Sequence, residues 1–174
     1  SDLDSADLAA QLAKPIKLSL LHDTLLEIFF AIRKRRGSRT DVPRPGDPLP
    51  GDTRPLSILL TEDNLVNQMV TRRLLELLGY QADVAANGLE AIEAVRRQSY
   101  DVVLMDIQMP EMDGIDATRH IVRQEPESRP QIIAMTASAL PSDRERCLQA
   151  GMDDYIVKPV SLEDLHAALE RLNL

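Results

Sequence analysis

The stretch Asp-Val-Val-Leu-Met-Asp at residues 101–106 is apolar at every position from Val102 to Met105 and stops on an acid. A strand with one wet face alternates apolar and polar residues, whereas an unbroken apolar run belongs to a strand covered on both faces. Working outward, four more segments have strand length: LSILL (56–60), YQADVA (80–85), QIIAM (131–135) and DYIV (154–157). The segments between them have helical character. Val66, Met69, Val70, Leu74, Leu77 and Leu78 recur at helical spacing, and this stripe runs into Gly79, a residue suited to a helix C-terminus. Further helices are predicted over 88–98, 114–124, 141–150 and 161–172. Five βα units of this length give an α/β fold: a doubly wound, five-stranded parallel sheet with helices on both faces and right-handed crossovers. The flavodoxin-like strand order 2-1-3-4-5 is the natural candidate.

In open sheets of this kind the ligand site lies beyond the carboxyl ends of the strands. Those ends carry Glu62 and Asp63 after the first strand, Asp106 after the third, Thr136 after the fourth and Lys158 after the fifth. Each has a plain reading alone. Asp63 or Asn64 can cap the next helix, Asp106 can open a loop, Thr136 can close a turn and Lys158 can sit solvated at a strand end. Together they form a chemical set. Carboxylates ~4 Å apart repel by about 4 kcal/mol at the effective dielectric near a protein surface, so the cluster calls for a cation. Oxygen ligands with room for water and phosphate oxygens suit Mg²⁺. An Asp carboxylate can attack phosphorus to give an acyl phosphate, and phosphoryl transfer needs chiefly positioning and charge neutralisation. Lys158 supplies charge and the Thr136 hydroxyl can donate to a phosphoryl oxygen.

Composition narrows the class. The 174 residues are 44% hydrophobic and 28% charged, as in a soluble globular protein. No apolar run approaches the roughly 18 residues of a membrane span, and the longest, near 25–32, is interrupted by Glu27. The acidic start SDLDSADLAAQ does not resemble a secretory signal. The single Cys147 excludes an internal disulfide and fits a reducing, cytoplasmic setting, where it reads as an ordinary helix residue. The net charge of −8 divides into +1 over residues 1–55 and −9 over 56–174. An acidic domain of that kind repels nucleic acid and attracts divalent cations or basic partners. Residues 37–55 hold five of the eleven prolines and three of the seven glycines, which reads as a stiff, solvated linker ahead of a domain at 56–174.

The segments LLTEDN (59–64), VVLMDIQMPEMDG (102–114), IIAMTASA (132–139) and AGMDDYIVKP (150–159) resemble the signature blocks of two-component receiver domains, most closely those of hybrid sensor histidine kinases. The resemblance covers about residues 56–174. It implies that Asp106 is the phosphorylation site and that Asp63, Asp106 and the Gln108 backbone carbonyl hold Mg²⁺, or Mn²⁺ in its place, with Glu62 adjacent or acting through water. Thr136 and Lys158 contact the phosphoryl group, and Tyr155 is the aromatic that turns on phosphorylation. The Lys158–Pro159 bond is a candidate cis peptide. The implied function is phosphorelay: phosphate passes from the histidine kinase core of the parent protein to Asp106 and onward to a histidine phosphotransfer domain. No nucleotide-binding GxxxxGK loop, DNA-binding output domain or membrane contact is expected of the fragment, and any membrane anchor belongs to the parent. Two alternatives stand beside it. One is a docking module with an unused phosphosite. The other is a haloacid-dehalogenase-type phosphatase, which needs a second acid where Gln108 stands.

Residues 14–25, KPIKLSLLHDTL, match residues 158–169, KPVSLEDLHAAL, at six of twelve positions. The first copy therefore reads as the strand end and last helix of a preceding receiver-like domain, with residues 1–36 as its remnant. Leu18, Leu21, Leu25, Ile28 and Ile32 form a short a/d seam, which predicts self-association or docking through the 16–36 helix. The basic RKRRGSR (33–39) reads as a solvated helix end entering the linker.

Overall fold

The computed structural model describes residues 49–124, 128–138 and 140–172. The helix expected over residues 16–36 and most of the expected linker lie outside these residues. Five parallel strands, β1 (Ile58–Thr61), β2 (Ala82–Ala85), β3 (Val102–Asp106), β4 (Gln131–Thr136) and β5 (Asp154–Val157), form one sheet in the order β2-β1-β3-β4-β5. The helices are α1 (Leu65–Leu77), α2 (Gly88–Arg97), α3 (Gly114–Gln124), α4 (Pro141–Ala150) and α5 (Leu162–Glu170). Helices α1 and α5 pack together on one face, and α2 to α4 adjoin in sequence on the other. None of the described helices is long and apolar enough to cross a membrane.

The central strand β3 and its neighbour β1 are buried at every residue. On the α2–α4 face, Leu59, Val103, Met105, Ile132 and Ala134 meet Ala91, Ile115, Ala117, Ile121 and Cys147 in one cluster. Alternation along the strands sends Leu60, Leu104 and Ile133 the other way, to the α1/α5 face, where Leu75, Leu78 and Leu165 are fully buried. Each such leucine contributes about 2 kcal/mol by burial. Cys147 is 2% exposed, and burial pushes its thiol above the ordinary range, consistent with a packing role.

Helix boundaries follow local chemistry. The Asn64 side chain caps α1 by accepting from the N–H groups of Val66 and Asn67. At the far end, Gly79 adopts φ +84°, and the N–H groups of Gly79 and Tyr80 close onto the carbonyls of Glu76 and Leu75. That closure takes Tyr80 into the helix cap, so β2 begins at Ala82 rather than at 80. The α1 stripe also differs from the expectation. Thr71, Leu74 and Leu75 are buried, whereas Val66 and Met69 are exposed. Within the stretch read as linker, Pro50–Thr53 forms a single helical turn, and the Gly51 N–H donates to the Leu78 carbonyl at 2.9 Å. A Cβ on Gly51 would lie 2.3 Å from the Gly79 carbonyl oxygen, so this end of the stretch is packed rather than solvated.

Thr61, at the end of β1, is fully buried, and its Oγ1 has no hydrogen-bond partner among the described residues. A buried hydroxyl without a partner costs about 1–3 kcal/mol. The isosteric Thr61→Val is therefore expected to raise the free energy of unfolding by about 1 kcal/mol, as measured by urea denaturation. A loss of stability would mean that the hydroxyl is satisfied in solution.

Candidate phosphoryl-transfer site

The site is built where β1, β3 and β5 end. Backbone bonds fix each end to its neighbour: the Glu62 N–H donates to Ala85 O at 3.1 Å, Ile107 to Met135 O at 3.1 Å and Lys158 to Thr136 O at 2.7 Å. The Lys158–Pro159 peptide is cis. Glu62, Asp63 and Asp106 each bring a carboxylate oxygen to within 4.8 Å of the others. Glu62 is 1% exposed and Asp106 4% exposed, while Asp63 faces solvent. The Lys158 ammonium lies between the two buried acids, 2.5 Å from Glu62 Oε2 and 2.6 Å from Asp106 Oδ2. The Gln108 N–H donates to Asp106 Oδ1 at 3.1 Å.

One ammonium thus stands among three carboxylates, two of them buried. Burial pushes the Asp106 carboxyl above its ordinary value, and hydrogen bonds from Lys158 and Gln108 only partly offset it. Burial also works against the Lys158 ammonium, but its hydrogen bonds to Asp106 and Glu62 outweigh that and leave its pKa raised. A charge deficit remains, and the donor set is all oxygen. Those two facts fit a small hard divalent cation.

Thr136 is buried at the end of β4 but bonds to its own loop: its Oγ1 donates to Ser138 O at 3.2 Å and accepts from Ser138 N–H at 3.1 Å. It lines a cavity of about 80 Å³ together with Gln108 and Cys147. Tyr155 is half-buried on β5, with the Arg144 guanidinium 5.4 Å above its ring. Of the expected residues, the acids and Lys158 make one hydrogen-bonded or closely spaced cluster, while Thr136 and Tyr155 stand beside it. The capping role open to either Asp63 or Asn64 falls to Asn64, and the exposed Asp63 carboxylate stays within 4.8 Å of the two buried acids.

Three contributors were not read from the sequence. Asn67 Nδ2 donates to Glu62 Oε1 at 2.9 Å, and Gln68 Nε2 donates to the Glu62 carbonyl at 2.6 Å. Side chains in a first helical turn lean back toward the N-terminus, so two amides just inside α1 were a usable signal. Gly114 closes the loop after β3, where its N–H donates to Ile107 O at 3.0 Å. A Cβ there would lie 2.1 Å from the Asp106 carbonyl oxygen.

The family model for the response regulator receiver domain matches residues 58–170. The chain belongs to this family. The chain is 41% identical over 146 residues to hybrid signal transduction histidine kinase H of Dictyostelium discoideum, covering 80% of this chain and 10% of that protein. The chain spans between 5% and 15% of the length of such curated relatives. Among solved structures it resembles the receiver domain of sensor histidine kinase PA1611 from Pseudomonas aeruginosa PAO1, which has a magnesium ion coordinated in its active-site cleft. Identity there is 49%, with a TM-score of 0.62 and coverage of 67% of this chain and 95% of that one. It also resembles the receiver domain of Saccharomyces cerevisiae Ssk1, crystallised with the histidine phosphotransfer protein Ypd1, at 29% identity and a TM-score of 0.61 over 67% of this chain and 85% of that one. The receiver fold and the likeness to hybrid histidine kinases thus hold as the motif segments implied. This places the chain in two-component signal transduction and takes away the ground for the phosphatase alternative.

Proposed function

We propose that Asp106 accepts a phosphoryl group from the phosphohistidine of a histidine kinase core and passes it to a histidine phosphotransfer domain. The observation that carries this reading is the Asp106 carboxylate, 4% exposed and held by the Lys158 ammonium beside two further acids. An Asp106 oxygen forms the new O–P bond as the N–P bond to the donor imidazole breaks. The electron pair of that bond stays on the ring nitrogen, which takes up a proton when it is released as neutral histidine. Asp63, Asp106 and the Gln108 carbonyl would hold Mg²⁺, or Mn²⁺ in its place, with Glu62 acting through water. The ion would neutralise charge on the transferring group. Lys158 then exchanges its bond to Asp106 for one to a phosphoryl oxygen. Thr136 gives up Ser138 to donate to another, and Tyr155 turns into the space it vacates, shifting a two-state population.

The first turn of α1 supplies a surface for a protein donor. Leu65 is 70% exposed and Met69 38%, both a few residues from Glu62 and Asp63. Leu65→Asp is expected to slow transfer from a phosphorylated histidine kinase core at least ~10-fold, the effect of losing one apolar anchor worth about 1.4 kcal/mol. Uptake from acetyl phosphate should stay within about twofold, because a small donor needs no docking surface. Equal slowing with both donors would instead place Leu65 in the chemistry.

We also read residues 1–36 as part of a second receiver-like unit, joined through the linker 37–55 to the receiver at 56–174. The positions shared by the two copies give the reason. Leu162, Leu165 and Leu169, which match Leu18, Leu21 and Leu25, are three of the four buried α5 residues, and Lys158, which matches Lys14, is the site lysine.

A further inference from the structure

Glu62 is the most heavily engaged acid of the site. Its Oε1 accepts from Asn67 Nδ2 at 2.9 Å and from the Asn64 N–H at 3.2 Å, and its Oε2 accepts from Lys158 at 2.5 Å. Its main chain is held as well, with the Gln68 amide on its carbonyl and its own N–H on Ala85. A carboxylate with this many donors has one orientation. Asn67 is itself well placed to impose it, because its backbone N–H is tied at 3.3 Å to the Asn64 cap.

We propose that Asn67 is a positioning residue that locks Glu62 and thereby gives the site its preference for Mg²⁺ over the larger Ca²⁺. The inference rests on reading the acidic cluster as a divalent-cation site. Ca²⁺ takes about 6–8 oxygens in flexible geometry and readily accepts both oxygens of one carboxylate, whereas Mg²⁺ demands near-octahedral geometry at about 2.0–2.1 Å. Glu62 cannot turn both oxygens to a cation while Asn67 and Asn64 occupy Oε1. Its acid therefore adds charge to the cluster and no second ligand atom. Without the Asn67 amide, Oε1 keeps only the longer bond from the Asn64 N–H at 3.2 Å, so Glu62 turns more readily to meet a large cation through both oxygens. Removing a hydrogen-bond partner from behind a metal-binding acid typically changes affinity by about 10–100-fold. Asn67 is solvent-exposed, so the lower end of that range is expected here.

The test is isothermal titration calorimetry of Mg²⁺ and of Ca²⁺ with the full chain, comparing wild type, Asn67→Ala and Asn67→Asp. The second variant keeps the side-chain shape but cannot donate. An acid in the first turn of α1 is favourable to the helix, so it stays folded even where alanine weakens the fold. The ratio of the Ca²⁺ Kd to the Mg²⁺ Kd is expected to fall about 10-fold in both variants. A merely structural role predicts a lower unfolding temperature with that ratio unchanged. A ratio within twofold of wild type in either folded variant overturns the proposal while leaving the cation site intact. A wild type that binds no Mg²⁺ removes the cation site and the clamp together.

Discussion

Lys158→Met is expected to unfold about 2–3 kcal/mol more easily than the wild type at neutral pH without metal, and to take up phosphoryl groups about 100-fold more slowly. The Lys158 ammonium is the cation bonded to both buried acids, at 2.5 Å from Glu62 and 2.6 Å from Asp106. Methionine fills similar space and leaves two carboxylates, 1% and 4% exposed, facing each other. Breaking a fully buried ion pair from one side costs about 3–5 kcal/mol, and the lower figure here allows for the 20% exposure of the Lys158 side chain. The deficit has a pH signature. Because the lysine pKa is raised, its contribution is complete below the ordinary value of 10.5 and disappears as pH climbs through the higher folded-state value. The gap also narrows in acid, as Asp106 protonates above its ordinary 3.8. Added Mg²⁺ should recover part of the lost stability, since a bound cation stabilises the folded state by mass action. Equal unfolding midpoints for the two proteins would mean that Lys158 is not the internal counter-ion of the site.

Gly114→Val should damage fold and site together. Its Cβ would lie 2.1 Å from the Asp106 carbonyl oxygen and 2.9 Å from both the Asp106 carbonyl carbon and Met105 Cγ. Two of these three atoms are backbone, so no rotamer change relieves the clash. Overpacking costs about 1–3 kcal/mol where side chains can give way, and the upper end or more is expected here. Relief requires the loop after β3 to move, and Asp106 with it, so phosphoryl uptake should drop at least ~10-fold, as for a catalytic group displaced by about 1 Å. Gly79→Ala is the control. It strains a left-handed residue at φ +84°, away from the site, and should cost about 1–2 kcal/mol with uptake nearly unchanged. If Gly114→Val matched Gly79→Ala in both respects, the close approach at Asp106 would carry no functional weight.

The parallel sheet was legible because its strands are continuous apolar runs, and the site was legible because such sheets gather ligand groups at their strand ends. Glu62, Asp63, Asp106 and Lys158 could be placed on that rule alone. What the pattern could not supply was where the sheet stops. Helical periodicity marks Val66 and Met69 as members of the same stripe as Leu74, yet only the later part of the stripe is buried. Strand propensity likewise extends through Tyr80, but the Gly79 cap claims that residue first. Within the site, residue types gave chemistry without partners. Asp63 and Asn64 were equal candidates for the cap until the Asn64 oxygen was seen on Val66 and Asn67. Asn67 and Gln68 carry no charge and match no catalytic pattern, so their hold on Glu62 emerges only once α1 is set against the end of β1.

Intact-mass spectrometry decides whether Asp106 is the phosphoryl acceptor. Wild type and Asp106→Asn would each be incubated with acetyl phosphate and Mg²⁺, with and without a chelator. One added phosphoryl group is expected on the wild type, lost on chelation and lost in Asp106→Asn. A wild type that binds Mg²⁺ yet gains no mass, or an Asp106→Asn variant that gains it equally, would contradict the account and shift the weight to a docking role or to another acceptor.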